Sequence, residues 1–403
     1  MKKHSILILL LAFFMAAAVP KRRLQSPSYY AQKNNKFAFD LYQKVTQKTH
    51  GNIFFSPYSI SAALTMTYAG ADGGTADEMA KTMHFDVNEP YFHYGYGAYS
   101  KKVSDNAADN VELTIANQLW GEKNYGLQDD FVSINKQAYQ ADFKLVDFVG
   151  QPDKERLVIN KWIADQTNDR IKDLLGEGSI TTDTRLVLTN AIYFKGDWLS
   201  EFEERQTRER EFNVSVTKKI ETPFMHSSSS LAYWENKDMQ MVMLPYKGEK
   251  QSMVVVLPKD PANMPLIEQQ MANSQMTKAI TAKKTPVNLA IPKFKFSVNL
   301  GVKKYLQTMG MKEAFTPGAN FSKMTPSNDL WISDVVHKAF IEIDEKGSEA
   351  AAATAVIMTV ESTMPDDVEI PKEFTADHPF LIYIVDNETR AILFMGRVAK
   401  PEL

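Results

Sequence analysis

The side chains that could perform chemistry are limited in kind, because the 403-residue chain has seven histidines and no cysteine. Without cysteine there is no thiolate nucleophile, no disulfide framework and no cysteine-ligated zinc. None of the histidines forms an H-E-x-x-H pair or has a second histidine at metal-ligand spacing. No G-x-S-x-G elbow, Walker A loop or dinucleotide-binding glycine motif follows a predicted strand. We therefore expect no bound metal, no cofactor and no enzymatic activity.

Two further groups of candidate catalytic residues have ordinary structural interpretations. His337 lies in the apolar run 334–340, where a lone histidine is typical of a buried core or hinge residue rather than of a general base. The carboxylate pairs Glu203–Glu204 and Asp366–Asp367 lie in polar stretches, whereas acid–base catalysis needs two carboxyl groups in different environments. The 46 Lys and Arg residues nearly balance the 49 Asp and Glu residues, which argues against a nucleic-acid partner.

The N-terminus has the layout of a secretory signal peptide. Lys2 and Lys3 precede an unbroken apolar run over residues 6–19, and an A-x-A cleavage pattern occupies residues 16–18. The run has 14 residues, fewer than the roughly 20 that span a bilayer. We therefore expect residues 1–18 to be removed and the product to be secreted or periplasmic, without membrane attachment. The alternative is an uncleaved anchor, which the basic residues 21–23 weakly favour.

Hydrophobic periodicity predicts the elements that would position functional residues. Apolar spacing near 3.6 residues predicts helices over 30–47 and 153–175. Short apolar or alternating runs between turn residues predict strands at 185–188, 241–244, 253–257, 287–291 and 380–385. Helices early and strands late, without strict alternation, predict an α+β fold with large antiparallel or mixed sheets. No linker-like stretch follows residue 28, so we expect one domain over residues 28–403.

One segment near the C-terminus carries conflicting local signals. Residues 347–355 are rich in alanine and favour a helix, whereas residues 356–360 favour a strand and residues 362–367 indicate an exposed loop. If the whole segment became a strand, one face would carry Ser348 and the small or apolar residues at every second position after it. Small side chains first and apolar ones later would suit a strand that slides between two existing strands. The alternative is an ordinary alanine-rich surface helix.

The same segment resembles a family motif. Residues 345–354, Glu-Lys-Gly-Ser-Glu-Ala-Ala-Ala-Ala-Thr, resemble the reactive-loop hinge of the serpins. Seven further blocks resemble serpin motifs in the same order along the chain: 52–60, 188–198, 244–246, 291–294, 336–339, 374–380 and 394–398. The resemblance runs from about residue 28 to residue 401, and the combination of blocks is far more specific than any one of them.

This resemblance implies an α+β fold with three β-sheets, eight or nine helices and an exposed reactive-centre loop at about residues 347–371. It also implies a monomeric protease inhibitor whose partner is a serine protease or, for some members, a cysteine protease. In the family mechanism the protease cleaves the loop and becomes an acyl-enzyme, and the cleaved loop inserts as a new strand of the main sheet. The displaced protease loses its active-site geometry, so deacylation stalls.

The resemblance also assigns roles to individual residues. Seven residues at the start of the loop match the hinge: Glu345, Gly347, Ser348, Ala350, Ala351, Ala352 and Ala353. Four polar residues match the hydrogen-bonded shutter beneath the main sheet: Ser56, Ser59, Asn190 and His337. Trp198, Lys293 and Glu345 match the breach, where insertion begins, and an ion pair is expected between Lys293 and Glu345.

The sequence allows several positions for the scissile bond. Counting by the usual family spacing gives Glu361–Ser362, but the loop is several residues longer than in common members. Cleavage after Val360 would suit an elastase-like protease, and cleavage after Met358 or Met364 would suit a chymotrypsin- or subtilisin-like one. No Lys or Arg lies within 347–371, so a trypsin-like target is not expected.

The alternative function is that of a non-inhibitory family member, a carrier, chaperone or storage protein whose loop is merely cleaved. The hinge separates the two functions, because bulky or charged residues there would block insertion. Ser348 and the four alanines at 350–353 are small, which favours the inhibitor.

Overall fold

The structure is a computed structural model, and it describes residues 24–107, 111–141, 143–271, 273–327, 329–348 and 370–403. The predicted signal peptide, residues 1–18, lies outside these ranges. Within them the chain forms nine α-helices: α1 (Pro27–Thr46), α2 (Pro57–Tyr68), α3 (Gly73–Met83), α4 (Phe92–Ala107), α5 (Asp129–Ile134), α6 (Pro152–Gln166), α7 (Met264–Gln270), α8 (Asn273–Ile280) and α9 (Lys303–Met309).

Local capping explains where the first two helices begin. Ser26 and Ser56 are the N-cap residues of α1 and α2, and their side chains accept hydrogen bonds from the backbone N–H groups of Tyr29 and Ser59. A proline follows each cap, at a position where the missing N–H has no helical partner to lose. The serine at the start of α2 is also one of the predicted shutter residues, so capping fixes its place in the fold.

Helix α6 is shorter than the apolar spacing over 153–175 predicts. It ends at Gln166, and Asn168 and Asp169 have positive φ angles of 49° and 62°, which a continuing helix does not allow. Ile171 is nevertheless buried in the same apolar cluster as the helix. The predicted C-terminal end is therefore wrong, because the later apolar residues pack against the helix without belonging to it.

Fifteen strands in the described residues form two sheets, and the predicted α+β class is confirmed. All five predicted strand runs overlap strands of the structure. The strands are β1 (Ile53–Phe55), β2 (Val111–Glu122), β3 (Phe143–Val146), β4 (Leu186–Asp197), β5 (Arg208–Ser215), β6 (Lys218–Glu235), β7 (Met239–Pro245), β8 (Gln251–Pro258), β9 (Lys284–Pro292), β10 (Phe294–Gly301), β11 (Ile332–Ile343), β12 (Gly347–Ser348), β13 (Lys372–Thr375), β14 (Phe380–Asp386) and β15 (Ile392–Val398).

The larger sheet has nine strands in the order β1–β15–β14–β8–β7–β6–β9–β13, with β5 also paired to β6. Strand β6, with 18 residues, belongs to two parts of this sheet. Its residues 218–232 pair with β5 and β9, and its residues 232–235 pair with β7. Two of the three expected sheets are therefore joined through β6 into one hydrogen-bonded network.

The smaller sheet holds the hinge and most of the other predicted site residues. Its strand order is β10–β11–β12–β4–β2–β3, and β11 also pairs directly with β4. Strand β4 is buried along almost its whole length, which is typical of a central strand covered on both faces. Helix α6 covers one face, where its Ile159 and Ile163 share an apolar cluster with Ala191. Helix α2 lies against the other face, where the Asn190 side chain donates to the Ser59 hydroxyl.

Candidate functional site

The candidate site lies along the seam between β4 and β11. The two strands pair directly and in parallel where residues 186–192 meet residues 332–339. Beyond this stretch the short strand β12 lies between them. Its Ser348 pairs with Ile343 of β11 and with Gly196 of β4, antiparallel to both. The first two residues of the predicted inserting strand therefore already lie between the strands that insertion would separate.

Gly347 occupies a position where the backbones approach closely. A Cβ atom there would overlap the Gly196 carbonyl oxygen and would lie 2.7 Å from the Asp197 Cα atom. Backbone atoms cannot give way as the end of a flexible side chain can. Any larger residue would therefore push β12 away from β4, which gives the hinge glycine of the motif a local physical reason.

Ser348 and Tyr246 contact each other through their hydroxyl groups. Ser348 is 1% exposed, and its Oγ atom lies 2.7 Å from the Tyr246 hydroxyl oxygen. Tyr246 is fully buried, and burial raises the pKa of its hydroxyl far above the ordinary value. The tyrosine is therefore a neutral hydrogen-bonding group. The sequence contains no signal for this contact, because the partners are 102 residues apart.

Trp198 fastens the segment that leads into the hinge. Its indole Nε1–H donates to the Asp344 carbonyl oxygen at 3.0 Å, and its backbone N–H donates to the Lys346 carbonyl oxygen at 2.8 Å. Its ring stacks on Tyr246, with ring centres 4.6 Å apart and planes inclined by 12°. The tryptophan thus holds both the chain that precedes the hinge and the tyrosine that contacts Ser348.

Glu345 forms an ion pair with Lys293 beside the hinge. Its Oε2 atom accepts from Lys293 Nζ at 2.8 Å, and its Oε1 atom accepts from the Thr207 hydroxyl at 2.6 Å. Burial raises the pKa of the carboxyl group, but its hydrogen bonds and the charge of Lys293 together outweigh burial, and the pKa is lower than usual. The Glu345 carbonyl oxygen also accepts from the Phe202 N–H at 2.8 Å. The glutamate is therefore ionised and held through both its side chain and its backbone.

The four predicted shutter residues meet beneath the seam together with a fifth residue, Asn117. The Asn190 side-chain amide donates to the Ser59 hydroxyl and to Asn117 Oδ1. The Ser59 hydroxyl in turn donates to Asn117 Oδ1, at 3.0 Å. Asn117 lies on β2 directly opposite Asn190, and our sequence analysis did not identify it. The side chains of Ser59, Asn117, Asn190 and His337, with the backbone N–H of Ser56, tie β2, β4 and β11 to the start of helix α2.

His337 connects β11 to both β4 and helix α2. Its Nε2 atom accepts a hydrogen bond from the Ser56 backbone N–H at 3.0 Å, so Nδ1 carries the proton and donates to Asn190 Oδ1. Burial lowers the pKa of the fully buried ring to about 3. His337 and Asn190 are register partners, so their hydrogen bond crosses the seam. A second proton on Nε2 would face the Ser56 N–H and break this arrangement.

The remaining predicted site residues lie outside the residues that the structure describes. They comprise part of the hinge and all the candidate scissile positions: Ala350, Ala351, Ala352, Ala353, Met358, Val360, Glu361, Ser362 and Met364. Their assigned roles stay predictions, as do the hinge, shutter and breach roles of the residues placed above.

The interactions of this site are strand pairing, hydrogen bonds and one ion pair, which suit a conformational change. In the described ranges, no group of three or more His, Asp or Glu side chains could hold a metal ion. None of the helices formed by those residues has the length and apolar character needed to span a bilayer.

Comparison with known proteins relates the chain to one family. Residues 32–401 match the family model described as Serpin (serine protease inhibitor). An uncharacterized serpin-like protein of Thermococcus kodakarensis is 38% identical, over 91% of this chain and 85% of its own length. The leukocyte elastase inhibitor of Xenopus laevis is 36% identical, over 91% of this chain and 97% of its own length.

Solved structures agree with this relation. Serpin48 of the insect Tenebrio molitor superimposes with a TM-score of 0.81 at 30% identity, covering 92% of this chain and 98% of that protein. Human thyroxine-binding globulin complexed with thyroxine gives a TM-score of 0.83 at 28% identity, covering 94% and 100% respectively. Proteins similar to this chain thus include one named as an elastase inhibitor and one named as a thyroxine-binding globulin.

Proposed function

Because the chain belongs to the serpin family, we propose that it inhibits proteases by covalent trapping. A serine protease would attack the loop: the scissile peptide bond breaks, and an ester forms between its carbonyl carbon and the protease serine. The new amine remains on the C-terminal fragment. The loop would then insert between β4 and β11 and carry the protease along the sheet. The family description, serine protease inhibitor, supports this class of partner.

The position of β12 is the observation that carries the proposal. Ser348 pairs with both β4 and β11, so the strand that insertion requires has already been started. Continuing the same antiparallel register would bring residue 358 opposite Leu186, the first residue of β4. Ten further residues would span about 33 Å at the ordinary rise of a strand. Cleavage at 358–362 would therefore deliver the attached protease to the opposite end of β4.

Insertion would exchange one set of strand contacts for a larger one. The parallel pairing across the seam and the Asn190–His337 hydrogen bond would have to break. The new strand would gain backbone hydrogen bonds along both edges and would bury its small and apolar face. The intact protein would then be a kinetically trapped state, with a higher free energy than the inserted one.

We propose elastase-, subtilisin- or chymotrypsin-like proteases as targets. The apolar residues Met358, Val360 and Met364 suit the binding pockets of these enzymes, and the loop has no Lys or Arg for a trypsin-like pocket. A relative named leukocyte elastase inhibitor supports the same choice.

Incubation with elastase and with subtilisin tests the proposal. We expect a complex that survives SDS and boiling, with the summed mass of protease and inhibitor less the C-terminal fragment. Mass spectrometry of that fragment would identify the scissile bond. A protease whose active-site serine has been blocked is the control and should form no complex. Clean cleavage without complex formation by every protease would contradict the proposal and favour the alternative function.

The alternative is a non-inhibitory protein that acts as a carrier, chaperone or storage protein. The similarity to thyroxine-binding globulin complexed with thyroxine supports it, because that protein binds a small molecule on the same fold. The two small buried residues Gly347 and Ser348 favour the inhibitor, because they allow a strand to start between β4 and β11.

We also propose that the protein is exported and acts as a monomer on proteases outside the cytoplasm. The signal-peptide layout of residues 1–18 supports export. N-terminal sequencing of the protein recovered outside the cytoplasm tests it, since a mature chain should begin at residue 19.

A further inference from the structure

Tyr246 contacts the hinge at a residue that lies between β4 and β11. Its hydroxyl oxygen is 2.7 Å from Ser348 Oγ, and both side chains are buried from solvent. A hydroxyl group can donate and accept, so the two groups can satisfy each other without water. Among the described residues, this is the only hydrogen bond of either side-chain hydroxyl. Within the described part of the chain, each hydroxyl therefore has the other as its partner.

The ring of Tyr246 is fixed against the strand that receives the loop. It stacks on Trp198 and packs edge-on against Phe194 of β4, with ring centres 5.0 Å apart in the second pair. It also covers Gly196 of β4, where a Cβ atom would lie 2.9 Å from Tyr246 Cδ1. The tyrosine hydroxyl thus has a defined place at the edge of β4, next to the point where β12 begins.

We propose that Tyr246 is a positioning residue for trapping, whose hydroxyl holds Ser348 between β4 and β11 before the loop is cleaved. This inference rests on the proposed inhibitory function and adds a residue that sets its efficiency. Starting a strand is the unfavourable step of insertion, because the first residues lose chain entropy for few hydrogen bonds. With Ser348 already held, the cleaved loop extends a strand that exists instead of starting a new one.

The efficiency of trapping depends on a competition of rates. After the acyl-enzyme has formed, either the loop inserts and distorts the protease, or water hydrolyses the ester and frees it. Loss of the Tyr246 hydroxyl would leave Ser348 Oγ without a hydrogen-bond partner among the described residues, which would shift the hinge towards release from the seam by about tenfold. Insertion would then start later in more molecules. The first attack of the protease on the loop does not involve Tyr246 and should keep its rate.

Four variants of the full-length protein test the inference: Tyr246→Phe, Ser348→Ala, the double variant, and Tyr383→Phe as a matched control. Tyr383 is also fully buried, but its hydroxyl has no hydrogen-bond partner among the described residues. Each variant is titrated against elastase or whichever protease the wild type traps. The readouts are the number of inhibitor molecules consumed per protease inactivated and the rate of acylation. Thermal melting checks that each variant is folded.

We expect Tyr246→Phe and Ser348→Ala each to raise the number of molecules consumed several-fold, with acylation unchanged. The double variant should exceed neither single variant, because it loses the same hydrogen bond and leaves no buried hydroxyl of this pair without a partner. Tyr383→Phe should behave as the wild type. Ser348→Ala provides an independent route if Tyr246→Phe does not fold.

Two results would overturn the inference and leave the proposed function intact. One is efficient trapping by folded Tyr246→Phe or Ser348→Ala. The other is an equal loss in Tyr383→Phe, which would indicate general loosening of the core. A wild-type protein that is cleaved but never trapped would instead overturn the proposed function, and this inference with it.

Discussion

At the scale of single residues, the hinge is defined by the space around it. Gly347 lies against the backbone of Gly196 and Asp197, and Ser348 faces the buried hydroxyl of Tyr246. A larger side chain at either position would have to leave the seam. Gly347 and Ser348, which precede the alanines, are held as strand β12 by pairing with β4 and β11.

Ser348→Arg is expected to turn the inhibitor into a substrate. A guanidinium cannot be buried without a partner between two strands, so the cleaved loop would not insert and the acyl-enzyme would hydrolyse. The ratio of complex to cleaved inhibitor, measured by gel electrophoresis after reaction with elastase, should fall by more than about tenfold. The matched control is Glu349→Arg, which would place the same charge on the alternate face of the inserted strand. Unchanged trapping by Ser348→Arg, or an equal loss in both variants, would contradict the role assigned to Ser348.

The residues that our sequence analysis identified differ from those it missed in one physical respect. Gly347 and Ser348 belong to a contiguous motif, so its resemblance to the serpin hinge was enough to single them out. Asn117, Thr207 and Tyr246 contact partners that are 73, 138 and 102 residues away, respectively. None of these residues carries a local sign of such a partner, because only the folded chain brings the two together.

At the scale of elements, the seam between β4 and β11 is the part of the sheet that the proposed function would require both to hold and to open. Backbone pairing holds it over residues 186–192 and 332–339. His337 adds a side-chain bond across it and a second bond to helix α2. Because these bonds need a neutral imidazole, the strength of the seam is linked to pH.

The free energy of unfolding is expected to fall as the pH drops below about 6.5. Burial keeps the folded-state pKa of His337 at about 3, whereas the unfolded chain binds the proton near the ordinary pKa. The unfolded state therefore holds more protons between these values, and stability falls by up to about 1.4 kcal/mol per pH unit for this group. Urea unfolding at a series of pH values from neutral to about 5 measures the slope of the unfolding free energy against pH.

A comparison of variants separates His337 from the other titrating groups. His337→Gln should flatten the slope by up to the contribution of one proton. His93→Gln is the matched control. Burial also lowers the pKa of His93, to about 4, and this histidine lies away from the seam. It should also flatten the slope, without affecting trapping. Identical slopes in the wild type and His337→Gln would contradict the buried neutral state of this histidine.

Element types followed from the sequence better than element boundaries did. The strand runs at 241–244 and 253–257 became β7 and β8, because alternating or continuous apolar residues fit a buried sheet in only a few ways. The sequence did not predict where α6 ends or that β6 is one long strand. Apolar spacing indicates which residues are buried. It does not distinguish a helix from a loop that packs against that helix, and it does not show where one strand passes from one sheet to another.

At the scale of the whole molecule, the proposed function requires that folding stop short of the most stable arrangement. The intact chain would hold one parallel contact between β4 and β11, while the cleaved chain would place a full strand there. The difference would be the free energy that displaces the protease. In this proposal the shutter, the breach and the Tyr246–Ser348 pair would all act on this one transition, so a single property of the molecule tests them together.

That property is the melting temperature of the protein before and after its loop is cut. The loop is cleaved by a protease that is not trapped, and both forms are followed by circular dichroism. The control is Ser348→Arg cleaved in the same way, and its melting temperature should rise little. We predict that the cleaved wild type melts at least about 5 °C above the intact protein, because a new central strand adds several kcal/mol of stability. Equal melting temperatures for the two forms would contradict the account.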